Sequence, residues 1–308
     1  MNETKHTLKA RIIRGSRNVF TLRPLEGGGP LECRIKGKVL RNSEGFYNPL
    51  APGDIVHAED CGGGRGLILA AEERRNLLAR FNQKGQKPQI LGANLDLVLC
   101  VTSPASPPFR PRFTDRLLAQ AEAAGIAALV LCNKYDLCPR DLAETEERLA
   151  DYERIGYPVL RVSAQSGLGM ENLRADIAGK TAILLGQSGV GKSSVINALH
   201  PHLELRTGVL NEKYDRGNHT TTLSVMYEFD DGFVIDTPGL RRMVPWGIEK
   251  EELISCMREF APLAGRCTYG ASCSHAGEAG CRVLEAVSAG LIHRDRYESY
   301  LRIRDELA

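Results

Sequence analysis

Gly186-Gln187-Ser188-Gly189-Val190-Gly191-Lys192-Ser193 follows an apolar run, Thr181 to Leu185, and precedes an amphipathic segment, Ser194 to Leu199. The octapeptide fits GxxxxGK[ST] in a strand–loop–helix setting, which is the context that gives the pattern meaning. Its glycines let backbone N–H groups turn inward around phosphates, and the start of the following helix adds a favourable dipole. Lys192 then neutralises β/γ oxygens, and the Ser193 hydroxyl offers a ligand to Mg²⁺ accompanying the nucleotide, with Ser194 opening the helix. The loop specifies a nucleoside triphosphate and leaves the base open.

Upstream, Asn133-Lys134-Tyr135-Asp136 ends the apolar run Ala127 to Cys132. A carboxylate such as Asp136 accepts two N–H donors, which guanine presents as N1–H and its 2-amino group. Adenine presents an unprotonated N1 and leaves the acid unpaired. About thirty residues on, Ser163-Ala164 closes Val159 to Val162, where a backbone N–H can meet the guanine O6. The tetrapeptide alone is an ordinary strand-end turn, and together the two motifs are far more specific.

Downstream, Asp236-Thr237-Pro238-Gly239 follows the strand-like Phe233 to Ile235. Asp236 suits Mg²⁺ through water, and the Gly239 N–H suits a γ-phosphate, so this loop is expected to respond to loss of that phosphate. In Gly217-Asn218-His219-Thr220-Thr221-Thr222, Thr220 or Thr221 can complete the Mg²⁺ shell. Leu240 stands where many GTPases carry a water-positioning Gln, which leaves His219 as the nearest titratable candidate for catalysis. The usual order of these motifs is phosphate loop, threonines, DxxG, NKxD, SA. Here NKxD and SA come first, so the expected domain is a circularly permuted GTPase whose last switch runs directly into the C-terminal residues. Nucleotide state is therefore expected to be relayed to them.

Working outward, the continuous apolar runs Leu95–Val101, Ala127–Cys132, Val159–Val162 and Thr181–Leu185 alternate with helical segments at Thr114–Ala124 and Asp141–Ile155. Strands apolar on both faces imply a mostly parallel α/β sheet covered by helices. Before them, Lys9–Ile13, Val19–Leu22, Leu31–Ile35 and Asp54–Ala58 are short β-rich stretches broken by glycine and proline. They suggest a small β-barrel, with an OB-type and an SH3-like barrel both open. Glu72 to Lys87 is expected to be a linker or short helix, and Ile248–Phe260 and Arg294–Leu307 to be helical. The expected units are residues 1–73, an OB-type RNA-binding barrel, 74–243, the permuted GTPase, and 244–308, a zinc-binding helical domain.

Cys267-x5-Cys273-x-His275-x5-Cys281 gathers three thiols and an imidazole within fifteen residues. Four such ligands suffice for one closed, structural Zn²⁺ site, a useful staple where large apolar residues are few. Cys256, Cys100 and Cys132 sit among apolar residues and are expected to be buried.

The 308 residues carry a net charge of +2, unevenly distributed: residues 1–90 hold 16 Lys/Arg against 9 Asp/Glu. That basic front suits a surface tracking nucleic-acid phosphates. No apolar run approaches the roughly 18 residues of a membrane helix, and the first twenty residues lack a signal-like core, so a cytoplasmic protein without membrane contact is expected.

Taken together, NKYD, SA, GQSGVGKSS, HTTT, DTPG and the tail CTYGASCSHAGEAGC resemble the ribosome small subunit-dependent GTPases, the RsgA/YjeQ family, over nearly the whole chain. The resemblance implies a monomer that binds GTP/GDP and contacts 16S rRNA of the 30S subunit. It further implies hydrolysis stimulated by that subunit, late in its maturation and coupled to release, with catalysis assigned to His219. Asn218 departs from the arginine common before that histidine. Gly189 replaces the asparagine of potassium-dependent relatives. An RNA-binding assembly factor holding GTP only as a structural or regulatory ligand is the competing reading, and a P-loop kinase or ATPase conflicts with Asp136.

Overall fold

A computed structural model of the chain describes residues 7–16, 18–37, 45–137, 142–203, 205 and 224–307. Five strands, β1 (Thr7–Ser16), β2 (Val19–Pro24), β3 (Leu31–Ile35), β4 (Ile55–Asp60) and β5 (Arg65–Ala71), close in the order β1-β2-β3-β5-β4-β1. The β3–β5 pair is parallel and the other pairs are antiparallel, which makes the barrel OB-type. Its strands alternate buried and exposed residues, and Ile12, Phe20, Leu22, Val56 and Ile68 fill the interior. The fifth strand, rich in glycine and alanine, is the one that β-propensity alone does not mark.

The segment expected as linker or helix is instead an antiparallel ribbon, β6 (Leu77–Asn82) against β7 (Lys87–Ala93). Its turn is fixed by the Asn82 side chain, which accepts from the N–H groups of Lys84 (3.1 Å) and Gly85 (3.2 Å), and by Gln86 at φ 49°. The charged residues that suggested a linker lie at the start and tip of this ribbon, while Leu78 and Ala79 are fully buried.

Six strands then build the main sheet: β8 (Leu97–Thr102), β9 (Ala127–Cys132), β10 (Val159–Arg161), β11 (Thr181–Gly186), β12 (Val225–Phe229) and β13 (Gly232–Asp236). Their order is β10-β9-β8-β11-β13-β12, parallel except for β12. Alternate residues point to opposite faces. Val98, Cys100, Val130 and Ile183 pack under α1 (Pro111–Ala123) and α2 (Ala143–Arg154). Leu99, Leu131, Ala182 and Leu184 pack under α3 (Met170–Ile177) and α4 (Lys192–Leu199). Barrel and sheet are continuous, since β1 pairs β12 at Arg14 and Val225 and the Arg11 guanidinium lies 4.2 Å over the Phe233 ring.

The C-terminal residues carry α5 (Arg282–Ser288) and α6 (Arg294–Glu306). Ile248 to Phe260 is not the expected helix: within it lies only a short 3-10 turn, Leu253–Cys256. Leu253, Ile254, Met257 and Phe260 are all buried at helix-like spacing, but with Ile248 they wrap the cysteine cluster and do not form one helical face. Asp115 of α1 joins this unit to the sheet: it accepts from Arg296 Nη1 (2.8 Å) and from the Ser299 hydroxyl, and both partners are buried.

Candidate functional site

The loops after β8, β9, β10, β11 and β13 all emerge at the C-terminal edge of the sheet, where open α/β sheets bind ligands. The phosphate loop leaves β11 at Gly186 and enters α4 through Gly191, at φ 90°, with Gly189 at φ 85°. Lys192 is buried and donates to the carbonyls of Gly186 (3.1 Å) and Gln187 (3.2 Å), so its ammonium is held inside the loop's concavity. Burial pulls its pKa down to about 8, and the nearby Asp236 opposes that shift.

Close packing ties this loop to its neighbours. A Cβ on Gly239 would lie 2.5 Å from the Ser188 Cα, and one on Gly186 would lie 2.4 Å from the Val101 carbonyl oxygen. Both positions therefore require glycine for steric reasons. The Leu240 N–H donates to the Gly186 carbonyl (3.0 Å), which seats the Asp236–Gly239 segment directly against the phosphate loop. The Ser193 hydroxyl donates to Asp236 Oδ2 (3.2 Å). Asp236 Oδ1 is buried without a hydrogen-bond partner among the described residues, and burial raises the pKa of this carboxyl. An orphaned carboxylate oxygen beside a serine hydroxyl fits a hydrated Mg²⁺. Ser193 and Asp236 would hold that ion, which would neutralise phosphate charge.

Asn133 links the phosphate and guanine loops. Its Nδ2 donates to the Val190 carbonyl (2.9 Å), and its Oδ1 accepts from the Ala164 N–H (3.1 Å). Lys134, at φ 62°, donates through Nζ to the Ser106 carbonyl in the loop after β8. Tyr135 donates its N–H to Val162 (3.0 Å) and its hydroxyl to Glu146 (2.8 Å), which leaves Asp136 exposed at the mouth. Ser163 is fully buried, and its hydroxyl accepts from the Ser166 N–H (3.0 Å), shaping the turn that presents Ala164. His219, Thr220 and Thr221 lie outside the described residues, as does Asn218.

At the other end of the chain Cys267, Cys273, His275 and Cys281 are buried, with one ligand atom from each lying within 4.8 Å of the others. The His275 Nδ1 is 3.4 Å from the sulfurs of Cys267 and Cys281, and those sulfurs are 3.9 Å apart. Zn–S and Zn–N bonds of about 2.3 and 2.0 Å in a tetrahedron give edges of roughly 3.8 and 3.5 Å, so the cluster has the dimensions of a Cys3His zinc site. The Arg282 N–H points at the Cys267 sulfur (3.3 Å), and Tyr297 donates to the His275 carbonyl (2.8 Å), contacts that orient the ligands.

Residues 71–246 match the sequence profile of the RsgA GTPase family. The chain belongs to the RsgA GTPase family. It is accordingly a GTPase. A small ribosomal subunit biogenesis GTPase RsgA from Gemmatimonas aurantiaca is 38% identical over 305 residues, covering 96% of each chain. The protein of that name from Chlorobaculum parvum is 37% identical and covers 100% of this chain and 99% of its own. Among solved structures, YjeQ from Thermotoga maritima superposes with a TM-score of 0.76 at 31% identity, covering 98% of this chain and 99% of that one. YloQ, described as a circularly permuted GTPase, superposes at 0.71 with 25% identity, over 100% and 97% of the two chains. Within the family frame, two supports escape a motif search. The Ser106 carbonyl that holds Lys134 carries no side-chain signature. The reciprocal pair of Gln120 with the Trp246 backbone (2.8 and 3.0 Å) joins residues 126 apart.

Proposed function

We propose that this GTPase acts on the small ribosomal subunit, binding GTP and GDP through the loops above and hydrolysing GTP when bound to 30S particles. The hydrolase half is carried by one observation: Asp236 keeps a buried, unpartnered oxygen beside Ser193, with Gly239 against the phosphate loop. The ribosomal half is supported by the name that end-to-end relatives bear. Asn133, Lys134, Tyr135 and Asp136, with Ser163 and Ala164, read guanine. Gly186 to Ser194 hold the phosphates, Thr220 or Thr221 completes the Mg²⁺ shell, Asp236 and Gly239 sense the γ-phosphate, and His219 positions the attacking water. Cys267, Cys273, His275 and Cys281 hold one structural zinc. The barrel of residues 1–73 and the zinc unit of 244–308 flank the GTPase of 74–243 and contact 16S rRNA, in a cytoplasmic monomer.

The test is GTP turnover titrated with purified 30S, 50S and 70S particles. Stimulation by 30S alone or most strongly by 30S is expected. Equal turnover with and without 30S would reduce the protein to an RNA-binding factor with a bound nucleotide.

A further inference from the structure

A cavity of about 430 Å³ opens beside the phosphate loop, between the start of α1, the segment after Gly239 and the start of α6. Phe109, Arg110, Phe113, Gln187, Arg241 and Arg242 form much of its wall, and Arg112, Arg116 and Asp295 complete its charged lining. Arg112 pairs with Glu298 (2.6 Å), Arg116 with Glu306 (2.6 Å) and Arg242 more loosely with the same Glu306 (3.4 Å). Arg110 and Arg241 are exposed and make no ion pair among the described residues. Five arginines against the three carboxylates Asp295, Glu298 and Glu306 leave two positive charges. The first turn of α1 contains no acidic residue, so nothing there repels an anion.

We propose that this cavity is a subsite for one unstacked nucleotide of single-stranded ribosomal RNA, its base against Phe109 and Phe113 and its flanking phosphates on Arg110 and Arg241. Single-stranded RNA is recognised by this combination of aromatic faces and arginines. Two free positive charges match two flanking phosphodiesters and fall short of the charge on a free nucleoside triphosphate. The exposure of Arg110 and Arg241 suits a chain crossing the mouth and not an enclosed small molecule. Gln187 belongs to the phosphate loop, and Arg241 follows Gly239 by two residues. An RNA seated here therefore braces the post-switch segment against the phosphate loop, which gives subunit binding a direct route to hydrolysis. The inference rests on the small-subunit reading above.

The experiment compares wild type, R110A/R241A and F109A for 30S affinity across a salt series, basal turnover and 30S-stimulated turnover. R110A/R241A is expected to bind 30S at least tenfold more weakly at physiological salt. Its log K against log salt slope should be shallower by about 1.4, two single-strand contacts at about 0.7 each. Stimulated turnover should fall with the affinity, while unchanged basal turnover reports an intact fold. F109A should weaken binding about tenfold with the slope unaltered. If wild type binds and is stimulated but both variants match it, the subsite is wrong and the small-subunit function stands. If wild type itself fails to bind 30S, the function falls first. Equilibrium dialysis that finds two GDP per wild-type chain and one per R110A/R241A chain would assign the cavity to free nucleotide and overturn the proposal.

Discussion

Asn133→Ala should separate the site's architecture from its direct contacts with nucleotide. The Asn133 side chain is 1% exposed and makes two bonds that join different loops, to the Val190 carbonyl at 2.9 Å and from the Ala164 N–H at 3.1 Å. Alanine leaves both backbone groups without their partner, at about 1–3 kcal/mol for each. A loss of about 2–6 kcal/mol lowers melting by roughly 4–24 °C for a domain of this size. Asn133→Asp sharpens the reasoning. It keeps an acceptor for Ala164 but sets a carboxylate oxygen against the Val190 carbonyl, so it should be no more stable than the alanine variant. Thermal unfolding by circular dichroism, without nucleotide and with GDP, measures the stability. Titration calorimetry with GDP should show affinity at least tenfold weaker in both variants, because the guanine and phosphate loops lose their common register. An aspartate variant melting within about 2 °C of wild type, or an alanine variant with unchanged GDP affinity, refutes the tether.

Four further outcomes follow from other parts of the molecule. Gly239→Ala puts a Cβ 2.5 Å from the Ser188 Cα, so GTP affinity should drop at least tenfold with GDP affinity nearly unchanged; equal losses for both nucleotides, measured by fluorescent analogue displacement, count against a γ-phosphate role. Lys192, with its pKa near 8, is about nine-tenths charged at pH 7 and about one-tenth at pH 9 in the free protein, and bound phosphates raise that pKa. GDP affinity should therefore fall about tenfold over that range with uptake of a proton; affinity flat between pH 7 and 8.5 contradicts the sign. Cys273→Ser should lose the one zinc found by metal analysis and expose residues 248–307 to limited proteolysis while GDP binding persists; a full complement of zinc in the variant removes Cys273 from the site. Exchange of amide hydrogens with GDP and with a non-hydrolysable GTP analogue should differ more in residues 237–246 and at Phe81 than in α6, and a difference centred on α6 would overturn the placement of the change in residues 241–245.

The parts of the fold legible in the sequence are those where one local requirement dominates. Strands β8, β9 and β11 read as continuous apolar runs because the sheet buries both of their faces, and the phosphate loop reads because Gly186 lies against the Val101 carbonyl and Gly191 turns at φ 90°. The β6–β7 ribbon did not read, since charged and amide side chains fill its turn and the buried residues are split between its two short strands, Leu78 and Ala79 on one and Ile90, Leu91 and Ala93 on the other. Residues 248–260 misled for the opposite reason: their apolar spacing imitates a helix, whereas the chain is wound around a cysteine cluster that propensity takes no account of. At the site, Asn133 was legible as part of a guanine motif but not as the tie to Val190, and neither Ser106 nor Trp246 acts through its side chain in the bonds described above.

The placement of α1 decides how a rotated GTPase can pass on its state. In this chain the residues after Gly239 run straight toward the C-terminal unit, which suggests that the unit follows the switch. The contacts argue otherwise. Asp115 of α1 is fully buried against Arg296 and Ser299 of α6, with the Tyr152 hydroxyl at 2.7 Å, and separating such a pair costs about 3–5 kcal/mol. The same α1 carries Gln120, which fixes the backbone of Trp246, so the post-switch segment is held at its far end by the helix that holds the C-terminal unit. At its near end Leu240 is bonded to the phosphate loop. A shift at Gly239 is therefore taken up between these clamps, in residues 241–245, where Arg241 and Arg242 are exposed. Besides the loose Arg242–Glu306 pair to α6 (3.4 Å), that stretch is bonded to the β6–β7 ribbon, through Phe81 N–H to the Val244 carbonyl (3.1 Å) and Arg80 to the Arg242 carbonyl (3.3 Å). At its end, Phe46 packs edge-on against Trp246. The strain of a nucleotide switch thus reaches the ribbon and the residues beside the barrel through single hydrogen bonds. It reaches the C-terminal unit by moving α1, which also supports the loop that holds Lys134, or through the looser Arg242–Glu306 pair to α6 (3.4 Å).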